Sequence, residues 1–174
     1  GKVHVPVVVG NHSRRSRKPR SKFRARDNFD WFTGHLLARQ FAHDKRVTFD
    51  VSEAADTTVD AYGRKVCLTH GDQTSGGGGI GGIWPPLMRL DARKRQRANA
   101  IGQPYDLLIM GHWHQLTWGP SFIVNGSLKG YDEYAYTSNF GYEPPQQALW
   151  LMTPEHGRTF TAGILPADRK REGW

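Results

Sequence analysis

Three short apolar runs of this 174-residue chain each end at a motif that carries histidine, and this repeated arrangement constrains its fold more than any other feature. A short apolar run that stops at a turn signal is typical of a buried strand. Because side chains leave a buried sheet where its strands end, we expect these histidines to meet at one rim. The motifs are Gly10-Asn11-His12, Thr69-His70-Gly71-Asp72 and Gly111-His112-Trp113-His114.

The order of predicted elements indicates the fold class. Strand signals alternate with helical signals over the first two-thirds of the chain, and strands dominate the end. This pattern is typical of an α/β (α+β layered) domain. Helices are predicted over 29–41, with Asp27 or Asn28 as N-cap, and over 86–100. Strands are predicted over Val5–Val9, Val47–Val51, 57–61, 65–69, 105–110, 122–124, 148–152 and 159–165, the last two as a hairpin.

Length and composition bound the remaining possibilities. The chain is long enough for one domain with its own core, and we expect residues 1–174 to form it. No apolar run approaches the roughly 20 residues that cross a bilayer, and the first residues lack the layout of a signal peptide. The lone Cys67 excludes an internal disulfide. We therefore expect a cytoplasmic protein.

The net charge of +8 is local, because the eight Lys and Arg residues between positions 14 and 26 equal it. Residues 13–26 are predicted to form a basic loop or arm that could attract DNA or RNA. Phe23 within it could stack on a base. A solvated loop with no ligand is the alternative. The candidate substrate-binding residues are those that directly follow His12, namely Arg14, Arg15, Arg17 and Lys18.

Two further segments, and the single residue Trp113, have two interpretations each. The glycine-rich loop over 75–82 could pass close to a phosphate group or serve as a flexible linker. The basic residues of the second helix could extend a phosphate-binding track or form a solvated face. Trp113 is expected to pack in the core or shield the site, and residues 132–136 are expected to form a surface loop. The basic helix residues are Arg89, Arg93, Lys94, Arg95 and Arg97.

The residue types at the strand ends suit a metal ion. Neutral imidazole nitrogen and amide oxygen are ligands for divalent cations. His112 and His114 would share a face on a strand, whereas in a loop they could point toward two neighbouring ions. His70 adds a third direction and Asn11 an amide oxygen. For any one motif taken alone, an ordinary surface histidine is the simpler interpretation.

Taken together, the motifs resemble the third, fourth and fifth signature motifs of the calcineurin-like metallophosphoesterases. Asn125-Gly126-Ser127 resembles the element that follows them, so the resemblance spans residues 5–127. It implies a two-sheet β-sandwich flanked by helices and two divalent metal ions. Manganese is the first expectation, with zinc, iron or nickel as alternatives. It also implies hydrolysis of phosphodiesters or phosphomonoesters, such as those of DNA or RNA, by a metal-bound hydroxide.

The resemblance also implies roles for individual residues. Asn11, His70 and His112 would bind one metal ion, and His114 would bind the other. His12 would face the phosphoryl group and stabilise its developing charge or protonate the leaving oxygen. Asp72 would hydrogen-bond to a ligand histidine, with a simple turn-forming role as the alternative.

One departure from the family pattern limits these implications. The Asp-x-His and Gly-Asp elements that open the pattern have no counterpart before Gly10. We therefore expect an N-terminally incomplete metallophosphoesterase domain that holds one ion and has little hydrolytic activity by itself. A non-catalytic nucleic-acid-binding module on a degenerate scaffold is the alternative function. A separate chain that supplies the missing aspartates is a further possibility.

Overall fold

The computed structural model describes residues 1–18, 20–76 and 80–166. Within these ranges no helix is both long and apolar enough to span a bilayer. The elements follow one another as β1 (Val3–Val7), α1 (Phe29–Gln40), β2 (Val47–Val51), β3 (Asp56–Ala61), β4 (Arg64–Thr69), α2 (Trp84–Ala100), β5 (Leu107–Met110), β6 (Thr117–Trp118), β7 (Phe122–Val124), α3 (Glu133–Thr137), β8 (Gln147–Thr153) and β9 (Gly157–Ile164).

A five-stranded sheet with the order β3-β4-β5-β7-β6 forms the centre of the molecule. Its three middle strands are parallel, while β3 and β6 run antiparallel to their neighbours. Thr69 is in register with Met110, and Met110 is in register with Val124. Consequently the residues that follow β4, β5 and β7 emerge side by side at one edge of the sheet.

The two faces of this sheet are covered by different elements, because successive strand side chains point to opposite faces. On one face α2 buries Leu87 and Leu90 against Leu108 and Met110. On the other face the hairpin of β8 and β9 packs against the sheet, with Trp150 among its contact residues. The structure confirms the layered α/β fold, in which helices flank a central sheet.

The pair formed by β1 and β2 is parallel and lies beside β3. α1 packs on this pair through Gly34, where an added Cβ would lie 3.2 Å from the methyl groups of Val7 and Val51. Asn28, one of the two predicted caps, accepts the Asp30 backbone N–H. The helix therefore approaches the strands through its smallest residue. Most of its large apolar side chains remain partly exposed, namely Phe29, Phe32, Leu36, Leu37 and Phe41.

β1 begins and ends two residues earlier than predicted. The Val3 N–H donates to the Arg46 carbonyl, and the Val7 carbonyl accepts from the Ser52 N–H, so the ladder to β2 ends there. Since backbone groups alternate between the two sides of a strand, odd-numbered residues of β1 face β2. Pro6 therefore lies on the opposite side of β1, where no other described strand pairs with it.

The interpretation of residues 132–136 as a surface loop was wrong. They belong to the start of α3, because the Asp132 side chain caps the helix by accepting the Ala135 N–H at 2.9 Å. An aspartate at the N-cap commonly accepts the backbone N–H of the residue three positions later, so this pattern marks the start of a helix. The short β6 was also missed, since two residues are too few to show a period.

Candidate metal and phosphate site

Three distant segments of the chain bring donor atoms together at the rim of the central sheet. The Asn11 side-chain oxygen lies 2.7 Å from His70 Nε2 and 3.3 Å from His112 Nδ1. The His70 and His112 rings meet edge to face, with centroids 5.1 Å apart. His114 lies further along the same rim, and its ring centroid is 6.4 Å from that of the exposed His12. We name these five residues the histidine rim.

The positions of His70 and His112 follow from the parallel pairing of β4 and β5. Just beyond the strands, the Gly111 N–H donates to the His70 carbonyl at 3.1 Å. Gly71 has a φ of +103°, and an added Cβ would lie 3.2 Å from the Gly111 carbonyl oxygen. Glycine at this position therefore lets the two turns pass close enough for their histidines to converge.

The start of α1 holds Asn11 in place. Asn28, which is 2% exposed, donates its Nδ2 proton to the Gly10 carbonyl at 2.7 Å. Asp30 Oδ2 accepts the Gly10 N–H at 2.8 Å. The N-cap and the first turn of α1 thus clamp both sides of the Gly10 backbone. Asp30 was overlooked in the sequence analysis, although its place two residues after the predicted cap was the available signal.

His112 and His114 both lie in the left-handed region, with φ of 68° and 57°. Residues other than glycine rarely adopt this conformation, and it costs of order 1 kcal/mol or more per residue. They therefore belong to a tight turn after β5, and the option of two side chains on one strand face does not apply. Between them, Trp113 packs against the core and also lines the cavity beside the rim. Of the two roles expected for Trp113, packing in the core is confirmed.

Burial favours the neutral imidazole at His70, His112 and His114. It lowers the pKa of His70 to about 4, an effect that the nearby Asp72 charge only partly opposes. Burial also lowers the pKa of His112 and of His114, to which neighbouring positive charges contribute. Neutral imidazoles carry a free lone pair at neutral pH, which is the form that binds a metal ion.

Asp72 does not make the predicted hydrogen bond to a ligand histidine. Its Oδ2 pairs instead with the Arg24 guanidinium at 2.5 Å. Its Oδ1 is buried and has no hydrogen-bond partner in the described part of the chain. The carboxylate therefore ties the basic loop to the turn after β4. Its charge acts on His70 and His112 only through space.

One of the two donor separations from Asn11, the one to His112, matches the ligand spacing around a single small cation, and the shorter one to His70 is a hydrogen-bond distance. Metal–nitrogen lengths of about 2.0–2.1 Å in a tetrahedral site separate the donors by about 3.3 Å. The observed separations from Asn11 Oδ1 are 2.7 and 3.3 Å. Within residues 1–18, 20–76 and 80–166, however, no three His, Cys, Asp or Glu side chains are grouped closely enough to hold a metal. The site therefore offers neutral donors and no carboxylate ligand.

A cavity of about 340 Å³ opens onto the rim. Asn11, His12, His112 and His114 line one part of it. Further lining residues were not assigned to the site from the sequence, and α3 carries one of them. The missed residues include Thr74, Tyr134 and Phe140.

The basic loop is closed by an antiparallel bridge between Arg14 and Asn28. Three of its cations are paired: Arg20 with Asp27, Arg24 with Asp72 and Arg26 with Glu53. The predicted substrate-binding residues make no ion pair with any described residue, and their charge therefore stands uncompensated next to His12. These residues are Arg14, Arg15, Arg17 and Lys18.

Two interpretations were open for the five basic residues of α2, a phosphate-binding track and a solvated face, and three of the five have partners within the fold. Lys94 is 4% exposed and donates to both carboxylate oxygens of Asp56, at 2.6 and 2.8 Å. Arg97 donates to the same carboxylate. Arg95 points to backbone carbonyls that precede β5 and β7. Their charges serve the packing of α2 on the sheet.

Asn125 also serves packing. Its Oδ1 accepts the Ala148 N–H at 2.7 Å, and its Nδ2 donates to the Gln147 side chain at 2.8 Å. The Asn125-Gly126-Ser127 element thus joins β8 to the end of β7 through the Asn125 side chain. Of the glycine-rich loop, Ser75 and Gly76 line the rim cavity, and positions 77–79 lie outside the described residues.

Comparison with known proteins adds limited information. No protein-family model and no curated protein matches the chain. Among solved structures, Vps29 from Entamoeba histolytica complexed with Zn²⁺ shares 18% identity over 68% of this chain and 67% of that chain, with a TM-score of 0.41. A single mutant of that protein shares 15% identity over 93% and 97%, with a TM-score of 0.37. Vacuolar Protein Sorting 29 from Cryptosporidium parvum shares 17% over 93% and 95%, also with a TM-score of 0.37. Similarity at this level assigns neither family nor function.

Proposed function

We propose that this chain is a metallophosphoesterase-like domain that binds one divalent cation and acts on a phosphomonoester or phosphodiester. The observation that carries the proposal is the convergence of the Asn11 oxygen with His70 and His112 on one point of the sheet rim. His12 and His114 face the same cavity, at the place where a phosphoryl group would meet the cation. Manganese is the cation we would test first.

Each residue of the rim has a chemical role in this proposal. Asn11, His70 and His112 would hold the cation, which when bound would polarise a phosphoryl oxygen and acidify water. His12 would donate a hydrogen bond to the phosphoryl group and hold the proton for the leaving oxygen. His114 belongs to no group of three His, Cys, Asp or Glu side chains in the described chain and is assigned to phosphate contact.

The charge balance of the site predicts how it would bind. Three neutral ligands leave both charges of a divalent cation uncompensated, and a phosphate group would neutralise them. Cation and phosphate should therefore each increase the affinity for the other by the same factor. Turnover should be low without a carboxylate ligand, and aspartates supplied by a separate chain would raise it.

Calorimetric titration with Mn²⁺, with and without inorganic phosphate, tests the proposal. We expect weak binding of one ion that phosphate strengthens, and loss of both effects in Asn11→Ala and His112→Ala. His43→Ala is the matched control, because His43 is an exposed histidine away from the rim. Mn²⁺ binding that survives both rim substitutions would contradict the proposed site. Turnover of a chromogenic phosphodiester then reports activity directly.

A nucleic-acid-binding module is the alternative, favoured by the unpaired cations at positions 14, 15, 17 and 18. Oligonucleotide binding in the presence of a chelator separates it from the enzyme. If the chain is such a module, its affinity for the oligonucleotide should be the same with and without the chelator. That affinity should also fall steeply as the salt concentration rises. Replacing Arg14, Arg15, Arg17 and Lys18 by Gln should then flatten the salt dependence. The control replaces four exposed cations elsewhere, Lys2, Arg39, Lys45 and Arg93.

A further inference from the structure

A second cavity of about 380 Å³ adjoins the cavity at the histidine rim. The two share Gly76, Trp113 and Phe140 as lining residues. We call the combined space the aromatic groove, since Trp113, Tyr134 and Phe140 line it. One end of this groove is therefore the proposed phosphate position, and the other end lies beyond the aromatic residues, beside Ile83.

The aromatic side chains are held in place yet remain accessible. Tyr134 and Phe140 meet edge to face, with centroids 5.6 Å apart and an angle of 89°. Tyr134 is 55% exposed and Phe140 is 38% exposed. The Phe140 N–H donates to the Ala135 carbonyl at 2.9 Å, which fixes Phe140 against α3. Accessible aromatic rings on an ordered helix form a stacking surface for a planar group.

Polar groups suited to the edge of a base lie at the far end of the groove. Ser138, Asn139 and Gln115 line it there. None of their side chains makes a hydrogen bond within the described part of the chain. Amide side chains offer both a donor and an acceptor, which is what the edge of a nucleobase requires.

We propose that the aromatic groove binds the nucleobase of a nucleoside phosphoester whose phosphate lies at the histidine rim. This inference rests on the proposed function and narrows its substrate class. The base would stack on Tyr134 or Phe140, and Gln115 and Asn139 would contact its edge. Stacking of one base on an aromatic side chain strengthens binding by about 10-fold or more.

Calorimetry with three ligands in the presence of Mn²⁺ tests the proposal: inorganic phosphate, ribose 5-phosphate and a nucleoside 5′-monophosphate. We expect the nucleotide to bind at least about 10-fold more tightly than ribose 5-phosphate. Tyr134→Ala and Phe140→Leu should remove most of this preference and leave ribose 5-phosphate affinity unchanged. Tyr136→Ala is the control, because Tyr136 is an exposed tyrosine of the same short helix outside the groove. Circular dichroism checks that each variant is folded.

The outcomes separate this inference from the proposed function. The nucleotide and ribose 5-phosphate could bind with equal affinity, both in a Mn²⁺-dependent way. This result would contradict base binding in the groove and would be consistent with the proposed phosphoesterase site. A preference for the nucleotide that Tyr134→Ala removes, but that does not depend on Mn²⁺, supports the groove and contradicts the metal site. Absence of binding by all three ligands overturns both.

Discussion

Polar clusters lie at both ends of the parallel strands. They differ in how many of their polar groups have a hydrogen-bond partner. At the end opposite the histidine rim, Asp91 is 6% exposed and accepts hydrogen bonds from Arg95, Tyr105 and Ser121. Arg95 also donates to the Tyr105 and Ser121 carbonyls, and its guanidinium lies 4.5 Å from the centre of the Tyr105 ring. We call these four residues the Asp91 network.

The histidine rim and its surroundings have the opposite character. His114 Nδ1, Asp72 Oδ1 and Trp113 Nε1 are buried and have no hydrogen-bond partner among the described residues. His112 and His114 are also held in left-handed backbone conformations. A connected network stabilises a fold, whereas unsatisfied groups and strained backbone accumulate where a ligand binds. The comparison separates a hydrogen-bonded polar network at one end of the sheet from the cluster at the other end, where we propose that a ligand binds.

The largest loss of stability should come from a substitution that breaks the Asp91 network. Asp91→Ala would leave the Arg95 guanidinium and the Tyr105 hydroxyl without their partner. We expect a loss of about 3–5 kcal/mol in the free energy of unfolding. Urea denaturation measures it, and Asp91→Asn, which keeps an acceptor for the two hydroxyl groups, should lose less. A loss below 1 kcal/mol for Asp91→Ala would remove the distinction between the two ends.

The next effect is the pH dependence that the rim gives to stability. His70 has a pKa of about 4 in the folded protein and about 6.5 when unfolded. Between these values the unfolded chain binds a proton that the folded chain does not. Stability in a chelator should therefore fall as pH drops from 6.5 to 4, by on the order of 3 kcal/mol, and this loss is complete below pH 4.

Unfolding in urea at several pH values measures this dependence. His70→Gln should flatten the slope between pH 6.5 and 4, while His43→Gln should leave it as in the parent protein. An unchanged slope in His70→Gln would show that the rim histidines are not the buried neutral groups described above.

A smaller effect concerns the link between the rim and the basic loop. Arg24 and Asp72 form a largely buried pair, with side-chain exposures of 21% and 8%. We expect a coupling energy of about 1–2 kcal/mol in a double-mutant cycle of Arg24→Gln and Asp72→Asn. The exposed pair of Arg26 and Glu53 is the control, for which we expect less than about 1 kcal/mol. Equal coupling in the two pairs would contradict the burial argument.

The smallest effect comes from backbone strain at the rim. His114 has a φ of 57°, which glycine adopts at no steric cost. His114→Gly should therefore be more stable than His114→Ala by about 1 kcal/mol. Thermal unfolding in a chelator compares the two variants. The reverse order would show that the left-handed conformation is not a source of strain.

Much of the fold could be predicted from local patterns. The Asn28 cap, the turn between β3 and β4, and the strand ends at His70 and Gly111 depend on neighbours in sequence, and the structure confirms them. The convergence of the His70 and His112 motifs at one rim follows from the parallel order of β4 and β5, whereas the start of α1 holds the Asn11 motif there. The short α3 was missed because its signal is a single cap residue.

Ion-pair partners that are far apart in sequence could not be predicted from the sequence. Lys94 reads as one more cation on a basic helix, and only the tertiary fold places it against Asp56, 38 residues away. Asp72 likewise pairs with Arg24 across 48 residues instead of with an adjacent histidine. Charge runs therefore predicted where cations lie along the chain, but not which of them remain free to bind a ligand.

Pro6 has a consequence for how the molecule behaves in concentrated solution. Its ring nitrogen lies on the unpaired side of β1, where a neighbouring molecule would need an amide proton to extend the ladder. An incoming strand would find no donor at the middle of this edge, so end-to-end growth into fibrils is disfavoured there. Pro6 therefore disfavours the addition of a strand from a second molecule at the unpaired edge of β1.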